Sequence, residues 1–233
     1  MQLALDHFFI LTDEPKKAGD ALVALGLTES FSREHPGQGT ANRRFVFANG
    51  MLELLYIRDA HEAEQGPAKG LKLTQRLANT AHSPFGLVLV RSQGDEHERP
   101  FAGWSYQPDY FPAPKAFYVG DNANDLTEPL CIYVPFAAPK TAAPKAAGPK
   151  TAAPKSATNK PVTPTNSGEA AWLSQLNVTV ATPQLSVVAS MTSKAYGVSL
   201  TTGPTHLAEL TLNDGAKGEK HDLRPLLPLV IHC

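Results

Sequence analysis

The sequence predicts an α+β fold built from β-α-β-β-β units, and three observations predict it. Residues 5–11 form an apolar strand that carries His7; a helix with proline near its start follows and stops at Gly26; and the same strand, helix, glycine plan returns over residues 176–197. His7 to Gly26 spans 19 positions and Asn177 to Gly197 spans 20, as an internal duplication would give.

The elements of the first unit follow in order. Asp13, Glu14 and Pro15 make an acidic, proline-started helix entry, and Ala18, Ala21, Leu22 and Leu25 recur at helical spacing before the glycine stop. Residues 28–31 read as a short second strand. Residues 44–47 run into Asn49-Gly50 and out into residues 51–57, a strong hairpin signal. A two-residue loop there pairs Val46 with Glu53 and Arg44 with Leu55, which sets Arg44 diagonal to Glu53 on one face.

Polar residues in such strands need a reason. A carboxylate in an apolar strand costs several kcal/mol unless compensated, so Glu53 must meet a metal, a cation or water; Arg44 is one available partner. His7 is either a satisfied core group or a ligand. Residues 35–43, His-Pro-Gly-Gln-Gly-Thr-Ala-Asn-Arg, combine two glycines with hydroxyl, amide and guanidinium donors. Such a loop suits a carboxylate or phosphate, while a tight turn accounts for the glycines equally. It lacks the Gly-Lys-Ser/Thr ending of a P-loop, and no nucleotide cofactor is expected. Trp104, Tyr106, Tyr110 and Phe111 form either an aromatic wall for an apolar ligand or loop packing.

Taken together, the strand-borne His7 and Glu53, the 35–42 loop, residues 104–110, Glu128-Pro129-Leu130 and the closing residues 222–230 resemble the glyoxalase-like branch of the vicinal oxygen chelate superfamily. The resemblance covers most of the chain outside one insertion. It implies two units whose curved mixed sheets enclose a cleft, paired within a monomer or across a homodimer. It implies a divalent metal, of unspecified identity, held by His7 and Glu53, with Glu53 also the candidate catalytic base. His35, Gly39, Thr40, Asn42, Arg44 and Trp104 are the candidate substrate-binding residues. The function implied is metal-assisted lyase or isomerase chemistry on a small oxo or hydroxy compound; the alternative is metal-independent binding or sequestration of a small molecule. The second unit departs from a complete ligand set: Asn177 stands where His7 does, and Asn does not favour zinc. His206, His221 and His232 lack metal-ligand spacing.

On this reading residues 1–136 hold the first unit plus an extra strand pair, at 85–90 and 130–134. Residues 137–168 are a disordered low-complexity insertion, with Lys140, Lys145, Lys150, Lys155 and Lys160 spaced by five among Ala and Pro. Residues 169–233 form a divergent second unit completing the same domain.

Composition limits the partners. At 233 residues and 42% hydrophobic, the chain can bury a sizeable core. The net charge is −1, and the insertion holds five lysines and no acid, leaving −6 (−1 less 5) on the rest. That balance argues against a nucleic-acid partner. No apolar run approaches the roughly 18 residues of a membrane span, so no membrane partner is expected. Two cysteines and no secretory leader point to the cytoplasm, with Cys131 a structural thiol. No Gly-x-Ser-x-Gly elbow supports nucleophilic catalysis.

Overall fold

The computed structural model describes residues 1–95, 97–138 and 170–233. The Lys/Pro/Ala-rich insertion expected at 137–168 lies, from residue 139 on, outside the described residues.

The first unit comprises β1 (Gln2–Leu11), α1 (Pro15–Ala24), β2 (Arg33–His35), β3 (Thr40–Val46) and β4 (Met51–Ile57). Pro15 occupies the first turn of α1, where its missing N–H costs nothing, and Gly26 adopts φ +86° just past the helix end. Ala18 and Leu22 are the fully buried stripe of the helix.

Two local expectations change. The second strand is not 28–31: Glu29 makes one bridge to Phe45, the chain then leaves the sheet at Phe31, which is 66% exposed, and pairing resumes at Arg33. The hairpin loop is four residues rather than two, with Val46 opposite Met51 and Arg44 directly opposite Glu53. Neither Asn49 nor Gly50 adopts positive φ. Asn49 instead exchanges two 2.8 Å hydrogen bonds with the backbone of Leu173, and Ala48 N–H donates to the Ala171 carbonyl, so the loop widens to receive another strand.

After β4, two short helices, α2 (Ala60–Gln65) and α3 (Leu73–Leu77), lead into β5 (Phe85–Gln93), β6 (Gly103–Tyr106), β7 (Phe117–Gly120) and β8 (Leu130–Tyr133). Eight strands form one sheet in the order β2-β3-β4-β1-β5-β8-β7-β6. β1 pairs parallel with β4 and β5 parallel with β8, while β1 and β5 meet antiparallel at the centre. The second half therefore repeats the strand order of the first. The paired units around a cleft are present, and the strands expected as an insertion supply the second half.

Residues 170–233 do not join that sheet. They form β9 (Leu173–Val180), α4 (Val187–Thr192), β10 (Val198–Thr202), β11 (Leu207–Leu212), β12 (Lys220–Asp222) and β13 (Leu229–His232), ordered β10-β9-β11-β13-β12. The opening strand, helix and glycine recur as expected, Gly197 having φ +77°. The pairing then diverges, because β9 is flanked by its second and third strands, whereas β1 is flanked by its fourth.

The central strands are apolar on both faces because both are covered. On one face Phe8, Ile10, Leu52, Leu54, Leu87 and Leu89 pack in a common core with Leu176, Val178, Leu210 and Ile231 of the five-stranded sheet. On the other, Phe9, Leu11, Leu55, Val88, Leu130 and Ile132 form a second cluster. Polar groups pin the two sheets together. Glu128, fully buried, accepts hydrogen bonds from the Ser186 amide and hydroxyl and from Asn122 Nδ2. His206 Nδ1 accepts from the Ala181 amide while Nε2 meets the Ala81 carbonyl at 3.0 Å. Among the described residues, no helix is long and apolar enough to cross a membrane.

Candidate ligand cavity

Strand alternation sends Phe8 and Ile10 to the core between the sheets and Phe9 and Leu11 to the opposite face. A register shift between Leu5 and His7 leaves Asp6 outside the β1/β5 pairing. A bulge re-aims side chains, and here both Asp6 and His7 line one cavity. Their contact is close: His7 Nδ1 lies 2.6 Å from Asp6 Oδ2.

The cavity measures about 260 Å3. One wall comes from the first unit: Asp6 and His7 on β1, Glu53 on β4, Arg44 on β3, and Arg33 and His35 on β2. The other is apolar and aromatic, with Val88, Leu130, Ile132, Tyr110, Phe111, Phe117 and Phe136. The rings hold one another edge-on, Phe111 to Phe117 at 5.2 Å and Phe111 to Phe136 at 5.5 Å between centroids.

Glu53 is only 9% exposed and has no hydrogen-bond or ion-pair partner among the described residues. Arg44 stands opposite it, but the guanidinium bends away: Nε donates to the Phe31 carbonyl at 3.1 Å, and the group lies 3.9 Å over the Phe31 ring. Arg44 Nη2 is buried without a partner. Burial lowers the Arg44 pKa from its ordinary value, against the pull of the Glu53 carboxylate. Arg33 sits 6.0 Å over the Tyr110 ring.

A buried network supports the wall. Gln38 Nε2 donates to Thr40 Oγ1 at 2.8 Å, and Thr40 Oγ1 meets His35 Nδ1 at 2.9 Å. Gln38 Oε1 accepts the hydroxyls of Tyr106 and Tyr110, each at 3.1 Å. Burial lowers the His35 pKa to about 4, so its ring is neutral near pH 7. Burial raises both tyrosine pKa values, keeping the hydroxyls as donors.

Of the residues singled out in the sequence, His7, Glu53, His35, Arg44, Tyr106, Tyr110 and Phe111 meet at the cavity. Thr40 lies behind His35. Asn42 Oδ1 accepts from the Arg33 amide at 2.9 Å, and its Nδ2 is buried without a partner. Gly39 holds φ +68°, and a Cβ there would strike the Asp59 carbonyl and Ala63. Trp104 does not line the cavity; it packs edge-on to Tyr106 and over Gly70. Arg43 leaves the site altogether, bonded to Glu29 and Asp20 beside α1. Asp6, Arg33, Gln38, Phe117 and Phe136 line the cavity without having been singled out. Their signals were weak: strand alternation assigns Asp6 to the wrong face, and Phe136 adjoins a low-complexity run.

The donor set does not fit a metal centre. His7 and Glu53 have no counterparts on β5 and β8, whose cavity-lining residues are Val88, Leu130 and Ile132. Among the described residues no group of three His, Cys, Asp or Glu is placed to hold a metal ion. His7 Nδ1 is already engaged by Asp6. Asn177 is exposed on β9 opposite Glu209, and His206 is held between backbone groups, so neither completes a ligand set here.

Comparison with known proteins agrees with this architecture. Residues 5–100 match the model of the glyoxalase-like domain family. A hypothetical protein from Staphylococcus aureus shares the fold at a TM-score of 0.54 and 9% identity, covering 99% of this chain and 98% of its own. A hypothetical protein from Bacillus halodurans C-125 aligns at a TM-score of 0.41 and 15% identity, over 61% of this chain and 99% of its own. A methylmalonyl-CoA epimerase from Mycobacterium tuberculosis aligns at 0.36 and 16%, over 56% of this chain and 86% of its own. No curated protein matches.

Proposed function

Starting from residues 5–100 as a glyoxalase-like domain of the vicinal oxygen chelate kind, we propose that this protein binds a small organic molecule in the cavity between its two sheet halves without a metal ion. One observation carries the reading: Arg44, whose Nη2 is buried without a partner, lines a cavity whose far wall is aromatic. An unpaired buried donor is costly, and an acceptor on a ligand recovers that cost. The volume, just below the ~300–1,000 Å3 of drug-sized pockets, suits a small metabolite.

The test is a thermal-shift screen of small organic acids and amino compounds on chelator-treated protein. Stabilising compounds should appear, and Arg44→Ala should abolish their effect. Stabilisation that appears only after Zn2+, Ni2+, Mn2+ or Fe2+ is added would overturn the reading.

The Asp6 and His7 pair favours a second reading, in which the bound molecule is also processed. A carboxylate on Nδ1 fixes the imidazole tautomer and leaves Nε2 free to take a proton. Solvent deuterium appearing at a ligand carbon, and its loss in His7→Gln, would establish proton transfer; no exchange in the unaltered protein would restrict the function to binding.

A further inference from the structure

Glu53 and Arg44 bring two opposite charges into one cavity and satisfy neither with the other. Among the described residues Glu53, 9% exposed, has no hydrogen-bond or ion-pair partner, and Arg44 keeps one guanidinium nitrogen buried and unbonded. A site for a simple anion needs no unpaired carboxylate beside its arginine, because that carboxylate repels the ligand. A site for a simple cation needs no such arginine. Both groups are used only if the ligand carries both charges.

Spacing narrows the class further. Arg44 and Glu53 are direct cross-strand partners, and such pairs hold their Cβ atoms about 4.5–5.5 Å apart. A ligand reaching both must carry its own charges close together. The cavity lining as a whole carries both signs, Arg33 and Arg44 together with Glu53 and Asp6. The remaining wall is aromatic, and a cavity of ~150 Å3 already accepts benzene, so about 260 Å3 leaves room for a ring and a short charged head.

We propose that the cavity takes a small zwitterion of the α-amino-acid class with an aromatic or bulky apolar body, its carboxylate on Arg44 and its ammonium on Glu53. The proposal rests on the metal-independent reading above and names the ligand class for the same site. Arg33 adds positive charge on the carboxylate side, and Phe111, Phe117 and Phe136 receive the body.

Isothermal titration of the metal-free full-length protein with three probes tests it. These are L-phenylalanine, 3-phenylpropanoate, which lacks the ammonium, and phenethylamine, which lacks the carboxylate. L-Phenylalanine should bind, and each single-charge probe should bind at least about tenfold more weakly, as expected when a charged partner is left unpaired. Glu53→Gln should erase the preference over 3-phenylpropanoate, and Arg44→Gln the preference over phenethylamine. The probe series on the unaltered protein decides the matter even if a variant fails to fold. Binding of 3-phenylpropanoate as tightly as L-phenylalanine would overturn the zwitterion assignment while leaving metal-independent binding intact. Binding of any probe only after Zn2+ or Mn2+ is added would overturn both. No binding of any probe in either state would overturn the ligand class.

Discussion

Arg44 and Glu53 face each other across β3 and β4 and form no ion pair, because the Phe31 carbonyl and ring hold the guanidinium away. A double-mutant cycle with Arg44→Gln and Glu53→Gln, read by urea unfolding, should therefore give a coupling below about 1 kcal/mol. A coupling near the ~3–5 kcal/mol seen when a buried ion pair is broken would show that the two groups close on each other in solution.

His35 sets a pH dependence of stability. Its folded pKa lies near 4, below the ordinary 6.5, so the unfolded chain takes up its proton first as pH falls. The stabilisation is complete above pH 6.5 and is lost progressively between 6.5 and 4, up to about 3 kcal/mol. His206, also lowered by burial, acts in the same direction. Urea unfolding across that window should show a shallower slope in His35→Gln than in the unaltered protein; equal slopes would place His35 in solvent.

Glu128 is the joint between the sheets. Glu128→Ala leaves the Ser186 amide and hydroxyl and the Asn122 amide without their shared acceptor, at ~1–3 kcal/mol for each donor left buried. Stability should fall by about 3 kcal/mol, with amide exchange accelerated first around α4. Glu128→Gln keeps one acceptor oxygen and should cost about half as much.

Gly86 controls the cavity floor. It pairs with Phe9, and a Cβ at this position would overlap the Phe9 ring. Gly86→Ala should push that ring toward the cavity, costing about 1–3 kcal/mol and weakening ligand binding more than tenfold. Unchanged affinity in a folded variant would show that Phe9 has room to turn elsewhere.

Much of the first unit was legible because its signals are local. Pro15 and Gly26 bracket a helix by backbone chemistry alone, and period-two strands placed Glu53 and Arg44 on one face even though the register was two residues off. That slip arose because Asn49 spends its side chain on Leu173, 124 positions away in sequence, which no hairpin rule encodes. The runs at 85–90 and 130–134 were visible as strands, but their role as the second half depends on the central β1/β5 pairing. Residues 176–197 repeat the strand-helix plan faithfully and then pair differently, so local similarity suggested a duplication that topology does not complete. At the site, His7, Glu53, His35 and Arg44 announced themselves as polar residues in or beside apolar strands. Asp6 did not, because a bulge reverses the face that alternation assigns to it.

The tandem lysine repeat is bracketed by independent anchors. Before it, the Ala137 amide donates to the Val134 carbonyl; after it, Ala171 and Leu173 bond to Ala48 and Asn49. Each flank is thus fixed by contacts of its own, and closure entropy depends on the length of chain between two anchors only logarithmically, about 0.6 kcal/mol per doubling. Replication slippage, which adds or removes repeat units in the coding DNA, would alter the length of this protein while leaving the strand register and the cavity unchanged.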